Sequence, residues 1–137
     1  MDQTITFSAD SLQITRIAVS VFFGILFIQS GLDKVFNFRE NLSWLVTHFK
    51  DTFMSGIVPV IFLIITICET LAGLISAYGA VDIYIHKTTN IALLGLELST
   101  ISLIFLFFGQ RIAKDYAGAG SLVSYFMASI IGILLLS

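Results

Sequence analysis

Four long apolar stretches account for most of this chain, and they constrain its fold more than any motif does. They run over about 12–38 (densest from Ile17 to Ile28), 56–81, 90–108 and 118–136. Crossing the hydrocarbon of a bilayer takes about 20 mostly apolar residues in a helix. In lipid, backbone N–H and C=O groups find no water, so a crossing segment must bond to itself as a helix or close into a barrel. The chain has 137 residues, 57% of them hydrophobic and 12% charged, against about 25% charged in a soluble domain. A water-soluble core of this size could not hide so much apolar surface. The expectation is an all-α fold: one integral membrane domain over residues 1–137, built as a transmembrane four-helix bundle. A signal peptide is the alternative for the first stretch, since Arg16 precedes an apolar run. Against it, no small-x-small cleavage site follows, and the polar continuation Gln29 to Lys34 is not the usual exit.

Several function classes are excluded or weakened by residue counts. The net charge of −2 and the lack of a basic run argue against nucleic acid as a partner. Cys68 is the only cysteine, so two thiols within one chain cannot do redox chemistry. His48 and His86 lie far apart and need other ligands to hold a metal, so none is expected. No nucleophile–base pair or phosphate loop is visible.

The longest interruption, 37–55, is patterned. Phe38, Leu42, Leu45, Val46, Phe49 and Phe53 recur at helical spacing, placing them on one face. Arg39, Glu40, His48 and Lys50 fall mainly elsewhere, and Trp44 suits the headgroup level. This predicts a short amphipathic helix, either lying in the membrane interface or packed on the bundle as an ordinary connector. Positive charge in short loops sets orientation. Arg16 and Lys87 mark one face; Lys34, Arg39, Lys50, Arg111 and Lys114 mark the other. The second face is then cytoplasmic, both termini lie outside the cytoplasm, and a bacterial inner membrane is the expected setting.

Helices in lipid are held by close backbone approach and polar contacts. Gly120, Ser124, Ala128 and Gly132 form a small-residue stripe at a spacing of four in the last stretch. Glu69, Gly73 and Ala77 share a face in the second, as do Arg16, Ser20, Gly24, Phe27, Gly31 and Lys34 in the first. These stripes are expected to turn inward.

Ionisable residues inside apolar stretches are the candidate site. Glu69 and Glu97 both interrupt apolar helices, where a bare charge costs at least ~3 kcal/mol. Each must be paired, protonated or wetted. Arg16, Lys34, Glu69 and Glu97 are therefore expected as buried polar groups, acting either as packing glue or as a ligand or proton site. With alternating helices, Arg16 and Glu97 fall at similar depth and could pair, and Arg16 could reach Glu69 by extending inward. At the other face Gln29 and Lys34 neighbour Arg111, Lys114 and Tyr116. That cluster reads either as a lipid-headgroup or quinone contact or as a snorkelling rim.

Arg16-x7-Gly24-x6-Gly31-Leu32-Asp33-Lys34 resembles the opening helix of the DoxX-like family. Glu69 followed by Leu71-Ala72-Gly73-Leu74 and Gly79 resembles its second helix, and Lys114-Asp115-Tyr116-Ala117-Gly118-Ala119 the loop before its last. The resemblance spans nearly the whole chain and implies a four-helix membrane protein tied to membrane redox systems, among them a small subunit of thiosulfate:quinone oxidoreductase. It carries Arg16, Lys34 and Glu69 over as matching positions; Glu97 has no counterpart. The related MauE-like branch is linked to disulfide chemistry, from which the lone Cys68 departs. The resulting expectation is a non-catalytic accessory subunit, with membrane lipids and a larger membrane protein complex as partners. The alternative is a quinone-linked oxidoreductase subunit, with quinone as the possible cofactor. A small transporter or lipid-binding protein ranks third.

Overall fold

Five helices carry the described residues, 9–137, of the computed structural model: α1 (Ala9–Phe36), α2 (Phe38–His48), α3 (Val58–His86), α4 (Asn90–Ile112) and α5 (Tyr116–Leu136). The described residues contain no strand. Four of the helices, all except α2, are long and apolar enough to cross a membrane. The chain is a small multi-pass membrane protein of the expected all-α class.

Local chemistry sets the helix ends. Pro59 occupies the first turn of α3, where its missing N–H has no intrahelical partner to lose. Lys87 follows α3 in the left-handed conformation, φ 59°, and its N–H bonds Ile83 O. Asp115 caps α5, its Oδ1 accepting from Gly118 N at 2.9 Å, the usual repair for an orphan donor at a helix start. Some ends differ from the apolar stretches: α3 continues through polar residues to His86 and α4 to Ile112, whereas α1 ends at Phe36 and α3 begins at Val58.

The bundle is antiparallel in chain order, with α1 on α3, α3 on α4 and α4 on α5. Small residues set the first two contacts. A Cβ on Gly24 would sit 3.2 Å from Ala77 Cα, and one on Gly31 3.0 Å from Thr70 Cα. Between α3 and α4, Gly95 faces Ser76 and Gly79 faces Ala92 in the same way. Ser20 Oγ, fully buried, donates to Ser76 O at 2.6 Å, adding a polar link between α1 and α3. Phe23, Phe27, Ala72, Leu96 and Leu103 fill the centre. The inward turn expected of the α1 stripe is observed for Ser20, Gly24, Phe27 and Gly31.

The α5 stripe departs from expectation. Gly132 is buried against Val19 and Leu96, but Gly120 and Ser124 are exposed. The contact between α5 and α1 is slight, so the stripe is covered at one end only. The amphipathic helix is α2, ending at His48, with turns over 49–57. It lies against the bundle: Phe38 meets Phe62 with ring centroids 4.8 Å apart, and Leu42 and Leu45 pack on Phe49, Met54 and Val58.

Candidate functional site

The centre of the bundle holds one lysine–carboxylate pair. Glu69 is 1% exposed, and its Oε2 lies 2.8 Å from Lys34 Nζ, whose side chain is 20% exposed. Lys34 Nζ also donates to Ser30 Oγ at 2.9 Å. Ser30 and Lys34 together are the polar side chains beside the carboxylate. Glu69 stands three residues from Ala72, the midpoint of α3, or about 5 Å along the axis. An isolated charge there is costly, and the ammonium offsets that cost.

The backbone explains why Lys34 reaches so deep. Gly31 lets α1 lie against Thr70, so Lys34, one turn further, comes level with the middle of α3. At Asn37 the chain turns into α2, whose Phe38 packs on Phe62. The first turns of α3 thus extend past the end of α1 and are covered by α2. Lys34 is thus turned into the bundle toward Glu69, with part of its side chain left exposed. Thr66 and Thr70 beside the pair bond back to Phe62 O and Thr66 O, at 2.7 and 2.8 Å, and so offer the carboxylate no hydroxyl proton.

Arg16 does not reach either glutamate. Its Nε donates to Leu135 O at 2.6 Å, tying the start of α1 to the last turn of α5. A cation at a helix C-terminus satisfies an otherwise orphaned carbonyl. Glu97, expected among the enclosed groups, faces outward and is exposed. Gly95, Leu96, Ser99 and Thr100 occupy the buried side of α4, and at about 100° per residue this rotates Glu97 away from it.

The expected headgroup or quinone cluster is only partly assembled. Arg111 stacks over Tyr116, 4.5 Å to the ring centroid, and exposed Lys114 begins the turn into α5 at φ 60°. Gln29 instead lines an outward groove of about 770 Å³ between α1 and α3, with Ile25, Leu32, Asp33 and Ala77. Glu69 is not among the residues lining that groove. The described residues contain no cluster of His, Cys, Asp and Glu fit to hold a metal.

One polar cluster is not legible as a motif. Asp82, near the end of α3, has Oδ1 2.8 Å from His86 Nδ1, and its Oδ2 accepts from Thr88 Oγ1 at 2.6 Å. The spacing of four between Asp82 and His86 is the only sequence signal for it. Its role is to brace the α3–α4 turn.

Comparison with protein-family models, with curated proteins and with solved structures finds no match to this chain.

Proposed function

We propose that the protein is a non-catalytic accessory subunit of a larger membrane complex, held there by lateral helix contacts. The observation that carries this is the outer face at the start of α5. Ala117, Gly120, Ser121 and Ser124 are exposed at spacings of three and four, and a Cβ on Gly120 would meet nothing within 4 Å. Lipid tails gain little from small residues, whereas helix–helix contacts in membranes are built from them. The resemblance to DoxX-like proteins supports the same reading. In this reading both termini lie outside the cytoplasm of a bacterial inner membrane, following the excess of Lys and Arg at the opposite face.

Copurification from a mild detergent tests it, comparing tagged wild type with Gly120→Leu and Ser124→Leu. A membrane protein retained by the wild type and lost from both variants is the expected result. A chain that purifies alone, or a companion retained by both variants, counts against the proposal.

A second reading, a quinone-linked subunit, rests on one observation: a carboxylate, Glu69, lies buried beside a lysine inside an apolar helix, a group able to handle a quinol's protons. Extraction and chromatography of lipids bound to the purified protein tests it. Quinone present in the wild type and lost from Glu69→Leu supports it; its absence from both rejects it.

A further inference from the structure

We infer that the groove between α1 and α3 is a binding site for a long-chain alkylammonium, with its charged end on Asp33 and its tail along the apolar half. The groove follows α1 from Val21 to Asn37, about 24 Å at the rise of a helix. Its volume of about 770 Å³ falls among the ~300–1,000 Å³ of small-ligand sites. Its two halves differ in chemistry. Beside Val21 and Ile25 it is walled by Ala77, Ala80 and Val81 of α3. Beyond Ile28, the lining residues Gln29, Asp33 and Asn37 follow at a spacing of four, all exposed. The other outward faces carry no such stripe. The exposed positions of α3 over 60–81 are apolar or tyrosine, α4 has Glu97 alone between its ends, and α5 contains no amide or carboxylate side chain.

The packing of α1 on α3 sets the depth of this stripe. Gly24 lies against Ala77, Gly73 against Ile28 and Gly31 against Thr70, which fixes how the two antiparallel helices run past each other. Gln29 is then level with Ala72, the midpoint of α3, and Asp33 with Cys68, about 6 Å nearer the α2 end. Hydrocarbon reaches about 15 Å to either side of its centre, so both side chains stand in the apolar layer. A carboxylate facing outward there is costly unless a cation meets it. Among the described residues none does: Lys34 turns to Glu69, and the other ion pair joins Asp82 to His86. Asn37 Nδ2 donates to Asp33 Oδ1 at 3.1 Å, which leaves the oxygen of that amide as an acceptor.

The charge and the layout of the groove select its occupant. An alkylammonium head carries N–H donors and no acceptor, and the polar half offers it the Asp33 carboxylate with the amide oxygens of Gln29 and Asn37. An anionic amphiphile is repelled by Asp33, and a neutral one leaves the carboxylate unpaired. The apolar half begins one turn from Asp33, so the charge must sit directly at the end of the chain. A zwitterionic phospholipid fails that requirement, because its phosphate stands between the ammonium and the tails. The groove is distinct from the small-residue face of α5 and from the Lys34–Glu69 pair, so the inference depends on neither reading of function above.

The test titrates the full chain, in phosphatidylcholine nanodiscs, with hexadecylammonium brominated near its tail end, which quenches tryptophan on contact. Trp44 is the only tryptophan. In a Trp44→Phe background, Val81→Trp puts the reporter in the apolar half of the groove, and Leu134→Trp puts it on the exposed face of α5. Saturable quenching is expected at Val81→Trp, and only the gradual quenching of lipid partition at Leu134→Trp. Adding Asp33→Asn is expected to raise the half-saturating amount about tenfold or more, the low end for a hydrogen bond to a charged group. Asp33→Glu, which keeps the charge, is expected to saturate like the parent, and so is Glu97→Gln. Brominated hexadecanol, the neutral analogue, is expected to need about tenfold more. Equal quenching at the two reporters, an alcohol that matches the amine, or undiminished binding to Asp33→Asn overturns the proposal. So does an Asp33→Glu protein that binds no better than Asp33→Asn. If Glu97→Gln weakens binding as much as Asp33→Asn, the attraction is to any membrane carboxylate and the groove site is rejected.

Discussion

Replacing Lys34 by methionine keeps a long flexible side chain and removes the cation that, among the described residues, pairs with Glu69. Breaking a buried ion pair by deleting one partner costs about 3–5 kcal/mol, because the other charge is left uncompensated. Two features lower that figure here. Lys34 keeps 20% of its surface exposed, so part of the pair is already solvated or at the bundle edge. Glu69 can also escape by taking up a proton, leaving a neutral buried carboxyl whose missing hydrogen bonds cost about 1–3 kcal/mol. The expected loss is therefore about 2–3 kcal/mol. With an unfolding entropy of about 2.1 cal/mol/K per residue over 137 residues, the melting temperature falls by about 7–10 °C. That is a lower bound, since helices that persist in detergent reduce the entropy of unfolding. The assay uses Cys68, the only thiol and one residue from Glu69: a dye that fluoresces on thiol addition follows unfolding in detergent. The double variant Lys34→Met, Glu69→Leu should regain most of the loss, since replacing both partners by apolar groups removes the orphan. A Lys34→Met protein that melts with the wild type would refute the claim that the pair is desolvated. A double variant no better than the single one would refute the claim that the uncompensated carboxylate is the cause.

Two further outcomes follow from the packing. Gly73→Val should abolish the folded bundle, because even a Cβ there would meet Ile28 N and lie 2.8 Å from Phe27 C, whereas Gly120→Ala, with open space around it, should melt at or slightly above the wild-type temperature; monodispersity and the thiol assay separate the two. Ser76→Ala should be neutral or stabilising by up to about 1 kcal/mol, since the buried Ser76 Oγ has no hydrogen-bond partner and removing an unsatisfied polar atom recovers its desolvation cost; a loss above that size would show that the hydroxyl has a partner in the membrane.

The bilayer makes some features of this protein readable directly from the chain. Hydrocarbon forces each apolar stretch into a helix, so the four spans, their order and the amphipathic connector are visible as composition and periodicity. Gly24 and Gly31 likewise mark a close helix contact wherever their partner lies, because a missing side chain is a local property. Glu69 is identifiable as a group needing compensation from its apolar neighbours alone. What compensates it is a matter of tertiary structure. Lys34 stands near the end of α1, where a snorkelling rim is the natural reading; the turn at Asn37 and the cover of α2 place it level with the middle of α3. Rotation about the helix axis is likewise settled by neighbours. Glu97 and Glu69 sit in similar apolar contexts, yet Gly95 and Ser99 draw one side of α4 against its neighbours and leave Glu97 outside, while Glu69 is drawn in beside Lys34. The α5 stripe shows the same division: its spacing is regular along the helix, but α1 meets α5 so slightly that only the Gly132 end is covered. Spacing reveals which residues share a face, and only the packing of one helix on another decides where that face points.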